Sequence, residues 1–184
     1  MTGFIPQITT TVKVEANTQN LDTALDLMQS DEISSFVFSD IINRIEYIKS
    51  NIDNDIDEVA FAVSESLSSH QEQIISMKHN FTGMMMSSVD ISKDGNAQYL
   101  VGNTATSVDG FPYPLAIETG RREVFPVNAK MLRWWTGAWF SGDMVFAKKS
   151  KAVPADPFVQ PSIDLTLDEV NNIVENYVAK INKL

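Results

Sequence analysis

Residues 113–163 read YPLAIETGRREVFPVNAKMLRWWTGAWFSGDMVFAKKSKAVPADPFVQPSI. An apolar run ends in Glu118-Thr119-Gly120, and an apolar–basic stretch carries Trp134 and Trp135. Two short apolar strands follow, at 130–135 and 144–148, joined through Gly137 to Gly142. A proline-punctuated turn, Pro154-Ala155-Asp156-Pro157-Phe158, then leads into a helix. The order is that of a framework that holds a loop and presents an apolar surface, not that of a catalytic constellation.

Upstream of this stretch, residues 8–16 alternate. Ile8, Thr10, Val12, Val14 and Ala16 share one face and Thr9, Thr11, Lys13 and Glu15 the other, which predicts a strand. Such a strand near a terminus pairs at a sheet edge or reaches to a neighbouring subunit. Residues 17–30 are polar and are expected to connect. A helix is expected over 31–49, where Ile33, Val37, Ile41, Ile45 and Ile48 form a stripe. The run Asn51-Ile52-Asp53-Asn54-Asp55 is expected to break it. A second helix then runs over about 56–77, with Asp55, Asp57 and Glu58 opposing the positive end of its dipole. Gly83 marks a turn, with a strand from about Met86. Lys93-Asp94-Gly95-Asn96 signals a hairpin, with Gln98 to Gly102 as the return strand.

In the C-terminal region Thr166-Leu167-Asp168-Glu169 has the form of a capping box. Ile163, Leu167, Val170, Val174, Tyr177 and Ile181 follow as a single stripe. The expected fold class is therefore α+β: two N-terminal amphipathic helices, a mainly antiparallel sheet of about four strands, and a C-terminal helix packed on it. The expected organisation is an N-terminal strand, arm and connector at 1–30, followed by a single α+β domain at 31–184.

The chain has 184 residues, 43% of them hydrophobic, and no cysteine. A sizeable core is therefore possible, whereas a disulfide framework or thiol nucleophile is not. No apolar run approaches the roughly 20 residues of a membrane-spanning helix, and Met1 to Pro6 lacks the pattern of a signal peptide. The expectation is a soluble protein made in a cytosol. Its formal net charge of -10 argues against gripping a phosphate backbone as its main task. Acid dominates before residue 60, whereas Arg121, Arg122, Lys130, Arg133, Lys148, Lys149 and Lys151 crowd the central third. Opposed patches of this kind either select partners or are solvated faces.

Catalytic patterns are weak. His70 and His79 lie nine apart with no second ligand at metal-binding spacing. Ser141-Gly142 lacks the frame of a nucleophile elbow, and phosphate-binding glycine loops are absent. Glu118, Asp143 and Asp156 are the best carboxylate trio for metal-dependent nuclease or hydrolase chemistry. Each also has a structural reading: Glu118 as a cap or partner of Arg121 or Arg122, Asp143 as a strand start, Asp156 as a turn residue. Trp134, Trp135, Trp139 and Phe140, interleaved with Arg133 and Lys130, suit either subunit contacts or base stacking on a single strand. On one strand Trp134 and Trp135 must face opposite ways.

Three segments resemble the small tail-completion or neck proteins of long-tailed bacteriophages, the group typified by the tenth gene product of a lambdoid coliphage. That family runs from a helix into T-G-x-L-x-x-S-I, then a hairpin, then Y-A-x-x-(I/V)-E-x-G-T, then a basic and apolar stretch, and last P-F-(L/I)-x-P-A-L before a final helix. Thr82-Gly83-Met84-Met85-Met86-Ser87-Ser88-Val89 is similar to the first motif. Tyr113-Pro114-Leu115-Ala116-Ile117-Glu118-Thr119-Gly120-Arg121 resembles the second and departs from it at its end. Pro157-Phe158-Val159-Gln160-Pro161-Ser162-Ile163 resembles the third closely. The resemblance covers roughly residues 56–184.

The resemblance implies a non-enzymatic virion protein without cofactor or bound metal. It implies a homo-oligomeric ring, six-fold or alternatively twelve-fold, that joins the head connector or portal side to the tail terminator or tail tube. Packaged DNA would pass through its bore without sequence-specific binding, and no membrane is involved. The protein would reside in the virion neck, and in the host cytoplasm during assembly. Candidate interface residues are Val12 and Val14 on the N-terminal strand, Arg121, Arg122 and Phe125 on the loop, Arg133, Trp134, Trp135 and Trp139 in the aromatic stretch, and Phe158. A tail terminator that caps the tube is the alternative of the same class. A metal-dependent nuclease or hydrolase, and a single-strand binder, are the alternatives of other classes.

Overall fold

The computed structural model describes residues 8–30, 36, 38–79, 83–106, 111–135 and 143–181, excepting the side chains at 134, 135 and 181. The fold is mixed α+β, with a three-stranded antiparallel sheet, a separate two-stranded sheet, and a C-terminal helix packed on the larger sheet. The single four-stranded sheet expected from the sequence is thus divided. In chain order the elements are β1 (Ile8–Lys13), α1 (Gln19–Met28), α2 (Ser39–Lys78), a 3-10 turn (Met86–Ser88), β2 (Val89–Gly95), β3 (Gln98–Asn103), α3 (Tyr113–Thr119), β4 (Leu132–Trp135), β5 (Met144–Ala147) and α4 (Val159–Ile181). The first sheet has the order β1-β3-β2. Its central strand is the most buried, because β3 is covered on both edges.

Three of these elements differ from expectation. The polar stretch 17–30 is not a connector but contains α1. Leu21, Ala24, Leu25 and Met28 recur at helical spacing and pack on Ile42 and Ile45 of α2. The two predicted helices are one 40-residue helix. The segment 51–55 holds neither glycine nor proline, so its Asn and Asp residues lower helix propensity without removing a backbone donor. Ser50 Oγ and Asn51 Nδ2 both donate to the Tyr47 carbonyl at 2.8 Å, a pattern compatible with the helix. The C-terminal helix starts at Val159, seven residues before the capping box. Thr166 is therefore an interior residue, and its hydroxyl donates to the Ser162 carbonyl at 2.8 Å.

The chain divides into two compact units. One comprises residues up to Thr10, 65–91 and 101–168. Its core is built from Ile74, Ile75, Met85, Ala105 and Phe158, with Met86, Val89, Ile117 and Val159 packed against it. Asn103 Nδ2 donates to the Met85 carbonyl at 2.7 Å, and Asn103 Oδ1 accepts the Ala105 N–H at 3.0 Å, which satisfies a buried amide beside that core. Gly102 permits close approach of β1: a Cβ there would lie 2.8 Å from the Ile8 carbonyl oxygen. His70, on the flank of α2, is 3.0 Å from Thr166 Oγ1 of α4.

The other unit comprises 11–64, 92–100 and the C-terminal part of α4 from Glu169. Here Asp57 of α2 ties down the β2–β3 hairpin. Its carboxylate accepts from Lys93 Nζ at 2.6 Å, from the Ala97 N–H at 3.1 Å and from the Tyr99 hydroxyl at 3.1 Å. The hairpin lies where the sequence placed it, but Ala97 (φ 47°) is the left-handed residue, not Gly95 or Asn96. Its strained amide is one that Asp57 holds. On α4, the Tyr177 hydroxyl is 2.8 Å from Asp55 and 3.0 Å from Glu58, and Lys180 donates to Glu58 at 2.9 Å. Burial, reinforced by those carboxylates, pushes the Tyr177 hydroxyl well above its ordinary pKa.

The stripe expected on the last helix is also displaced. Ser162 and Thr166 are buried, while Leu167, Val174 and Val178 are exposed.

Candidate interaction surface

The segment that dominates the sequence builds a β-ribbon. Arg121 and Val153 exchange backbone hydrogen bonds of 2.9 and 2.8 Å, and Val124 and Ser150 exchange bonds of 3.0 and 2.8 Å. Further out, β4 and β5 pair antiparallel, with Arg133 opposite Phe146 and Trp135 opposite Met144. Between the two paired regions, residues 125–131 on one side face only 148–149 on the other. The longer side must bulge outward. The ribbon thus comprises 121–135 and 143–153, with a side excursion from Phe125 to Met131.

The base of the ribbon is fixed by the residues flanking it. Helix α3 ends at Gly120, whose φ of +72° and ψ of 174° lie in a region open essentially to glycine alone. A Cβ there would meet the Ala155 nitrogen at 2.7 Å and the Val153 carbonyl oxygen at 2.8 Å. One residue on, the Arg121 guanidinium donates to Ser150 Oγ at 2.7 Å. Glu118, two residues before Gly120, turns to the start of α4. Its Oε2 accepts the N–H of Phe158 at 2.9 Å and that of Val159 at 3.2 Å. Pro161, in the same first turn, has no N–H to satisfy. The carboxylate also places negative charge at the positive end of the α4 dipole.

The ribbon's surface is apolar and basic. Val127 is 92% exposed, and Phe125 and Phe146 are each 58% exposed. Residues 121–153 hold seven of the chain's 14 Lys and Arg residues but only two of its 24 Asp and Glu residues. Of the basic groups, Lys149 pairs with Glu123 at 2.8 Å, while Arg122, Lys130, Arg133 and Lys148 are all exposed.

The structure sorts the sequence-predicted residues as follows. Arg122, Phe125 and Arg133 lie exposed on the ribbon, and Arg121 lies half-buried at its base. Trp134 and Trp135 are consecutive residues of β4. Trp139 and Phe140 lie outside the described residues. Val12 and Val14 are half-buried, Val12 on edge strand β1 and Val14 just beyond it. Phe158 is a correction: it is fully buried at the centre of its unit's core and forms no part of a surface. Val127 and Phe146 were not singled out from sequence. The one available signal for Val127 is an apolar residue between Pro126 and Asn128 in a stretch too short to bury it.

The carboxylate trio does not assemble. Glu118 caps α4, Asp156 accepts from Lys78 at 3.1 Å, and Asp143 lies exposed before β5. His79 Nε2 is 3.6 Å from Asp156, too long for a hydrogen bond. Among the described residues, no three His, Asp or Glu side chains are placed to hold a metal ion. No helix among them is long and apolar enough to cross a membrane.

Comparison with protein-family models, with curated proteins and with solved structures finds no match to this chain.

Proposed function

We propose that this chain is a structural protein of a tailed-phage virion, acting as a tail-completion or neck protein. In this reading copies of the chain form a ring, six-fold or twelve-fold, between the head connector and the tail terminator or tail tube. Packaged DNA passes through the bore without being read. One observation carries the reading. The three sequence stretches that resemble the neck family are far apart in the chain, yet they meet in one apolar cluster. Met85 and Met86 come from the first, Ile117 from the second, and Phe158 and Val159 from the third. Glu118 of the second stretch then caps the helix that the third begins. The three stretches act as a common framework, and the ribbon between the second and third is the partner-facing part.

A ring needs two different patches per subunit, one for each neighbour. The basic ribbon and the acidic remainder of the chain supply patches of opposite sign. If acidic residues line the bore, reversing their charge slows DNA ejection, and unchanged ejection rates would count against that lining.

The test is electron microscopy of particles made by the phage with this gene disrupted. Filled heads beside separate tails of normal length are the expected result. Tails of irregular length would reassign the protein as a tail terminator. Intact infectious particles would reject both readings.

A further inference from the structure

We infer that the β-ribbon of one copy docks on the exposed side of the α1–α2 pair of a second copy. The inference rests on the ring reading and names the two surfaces that make its subunit contact. The two sides of the ribbon, 121–135 and 143–153, together carry a net charge of +5 within a chain of -10. Residues 11–64 hold eleven Asp and Glu residues against three Lys and Arg residues. Asp26, Asp40 and Asp53 are exposed there.

Charge alone describes any solvated face, so the apolar content decides. Leu27, Ile41 and Tyr47 are exposed on the α1–α2 pair, and Phe125, Val127 and Phe146 are exposed on the ribbon. Each surface therefore offers exposed apolar side chains together with charge, and the two charges are of opposite sign. Apolar burial joined to opposite charge is what a specific protein contact requires. Both halves lie on one chain and are different patches, so contact between two copies leaves one ribbon and one acidic surface free. Further copies add until the ring closes. Nucleic acid is the weaker occupant. A net charge of -10 repels a polyanion, and phosphate contacts make no use of Val127 or Met131.

The test is sedimentation equilibrium of the full chain and two charge-reversed sets. One set is Lys130→Glu, Arg133→Glu and Lys148→Glu; the other is Asp26→Lys, Asp40→Lys and Asp53→Lys. Circular dichroism establishes that each variant is folded. The unmodified chain should self-associate, more weakly as salt rises. Each reversed set alone should raise the dissociation constant about tenfold or more. A mixture of the two sets should restore association in part, because the substituted positions then again meet charges of opposite sign. Self-association that neither set weakens, or that mixing does not restore, overturns the docking and leaves the ring reading standing. An unmodified chain that stays monomeric at every concentration overturns both. Binding of a fluorescent oligothymidylate by a chain that does not self-associate, lost in the ribbon set alone, would give the ribbon to nucleic acid instead.

Discussion

The carboxylate of Glu118 accepts the backbone N–H of Phe158 at 2.9 Å, so that one helix supplies the N-terminal cap of another forty residues along the chain. The bond joins α3, the base of the ribbon and the first turn of α4. It also fixes the backbone of Phe158, whose ring fills the core. Replacing Glu118 with Ala is expected to cost about 1–2 kcal/mol, the usual worth of a cap. Gln keeps an acceptor oxygen but not the charge and should cost less. Urea unfolding of the two variants checks this; an unchanged midpoint for Glu118→Ala would remove the cap from the account.

Gly120→Ala is expected to be more harmful than its size suggests. The new Cβ would meet two backbone atoms within 2.8 Å, and the residue would sit in a conformation that L residues avoid. A loss of about 2–3 kcal/mol is expected, with the Arg121–Val153 pairing disturbed. Thermal unfolding and the protection of the Arg121 and Val153 amides from exchange measure both effects.

Phe158→Ala and Phe125→Ala should separate core from surface. Truncating the buried ring should cost about 3–5 kcal/mol. Truncating the exposed one should change stability by less than about 0.5 kcal/mol and act on association instead. Equal destabilisation by the two would contradict the placement of Phe158 at the core and Phe125 on the ribbon.

Asp57 makes the hairpin sensitive to acid. The Lys93 ammonium, helped by the Tyr99 hydroxyl and the Ala97 amide, holds its carboxyl below the usual range. A depressed folded-state pKa means that the unfolded chain binds the proton more readily. The contribution is therefore complete above about pH 4 and is lost as pH falls through the lower folded value. Lys93 is raised for the reciprocal reason, so the pair weakens again only on strong alkalinisation. Following the Ala97 amide resonance by NMR during acid titration should show a midpoint below the ordinary aspartate value, and Asp57→Asn should abolish the step. A midpoint at or above the ordinary aspartate value would contradict this.

Much of the fold was legible because its signals are local. Alternation over residues 8–13, the β2–β3 turn and the apolar runs at 132–135 and 144–147 each report on neighbours in sequence. What was not legible depends on partners distant in the chain. The true start of α4 is set by Glu118, forty residues away, so the local box at Thr166 competed and lost. Helix α2 passes through Asn51 to Asp55 because the weak propensities of that run, about 0.7 kcal/mol per residue at most, are overridden by the packed turns on either side. Helix α1 was hidden because four apolar residues among polar ones suffice when Ile42 and Ile45 lie beneath them. The ribbon's basic and aromatic character was plain from the sequence. The pairing of 121–124 with 150–153 was not, because its two sides are offset by the excursion at 125–131.

The proposed joining of heads to tails is open to test by in vitro complementation. Purified protein is added to a lysate of the phage with this gene disrupted, and infectious titre is measured with electron microscopy of the products. Titre should rise with added protein as separate heads and tails become joined particles, and the ribbon-reversed chain should fail to raise it. Joined particles forming at the same rate without the protein, or no rise in titre at any concentration of it, would contradict the account.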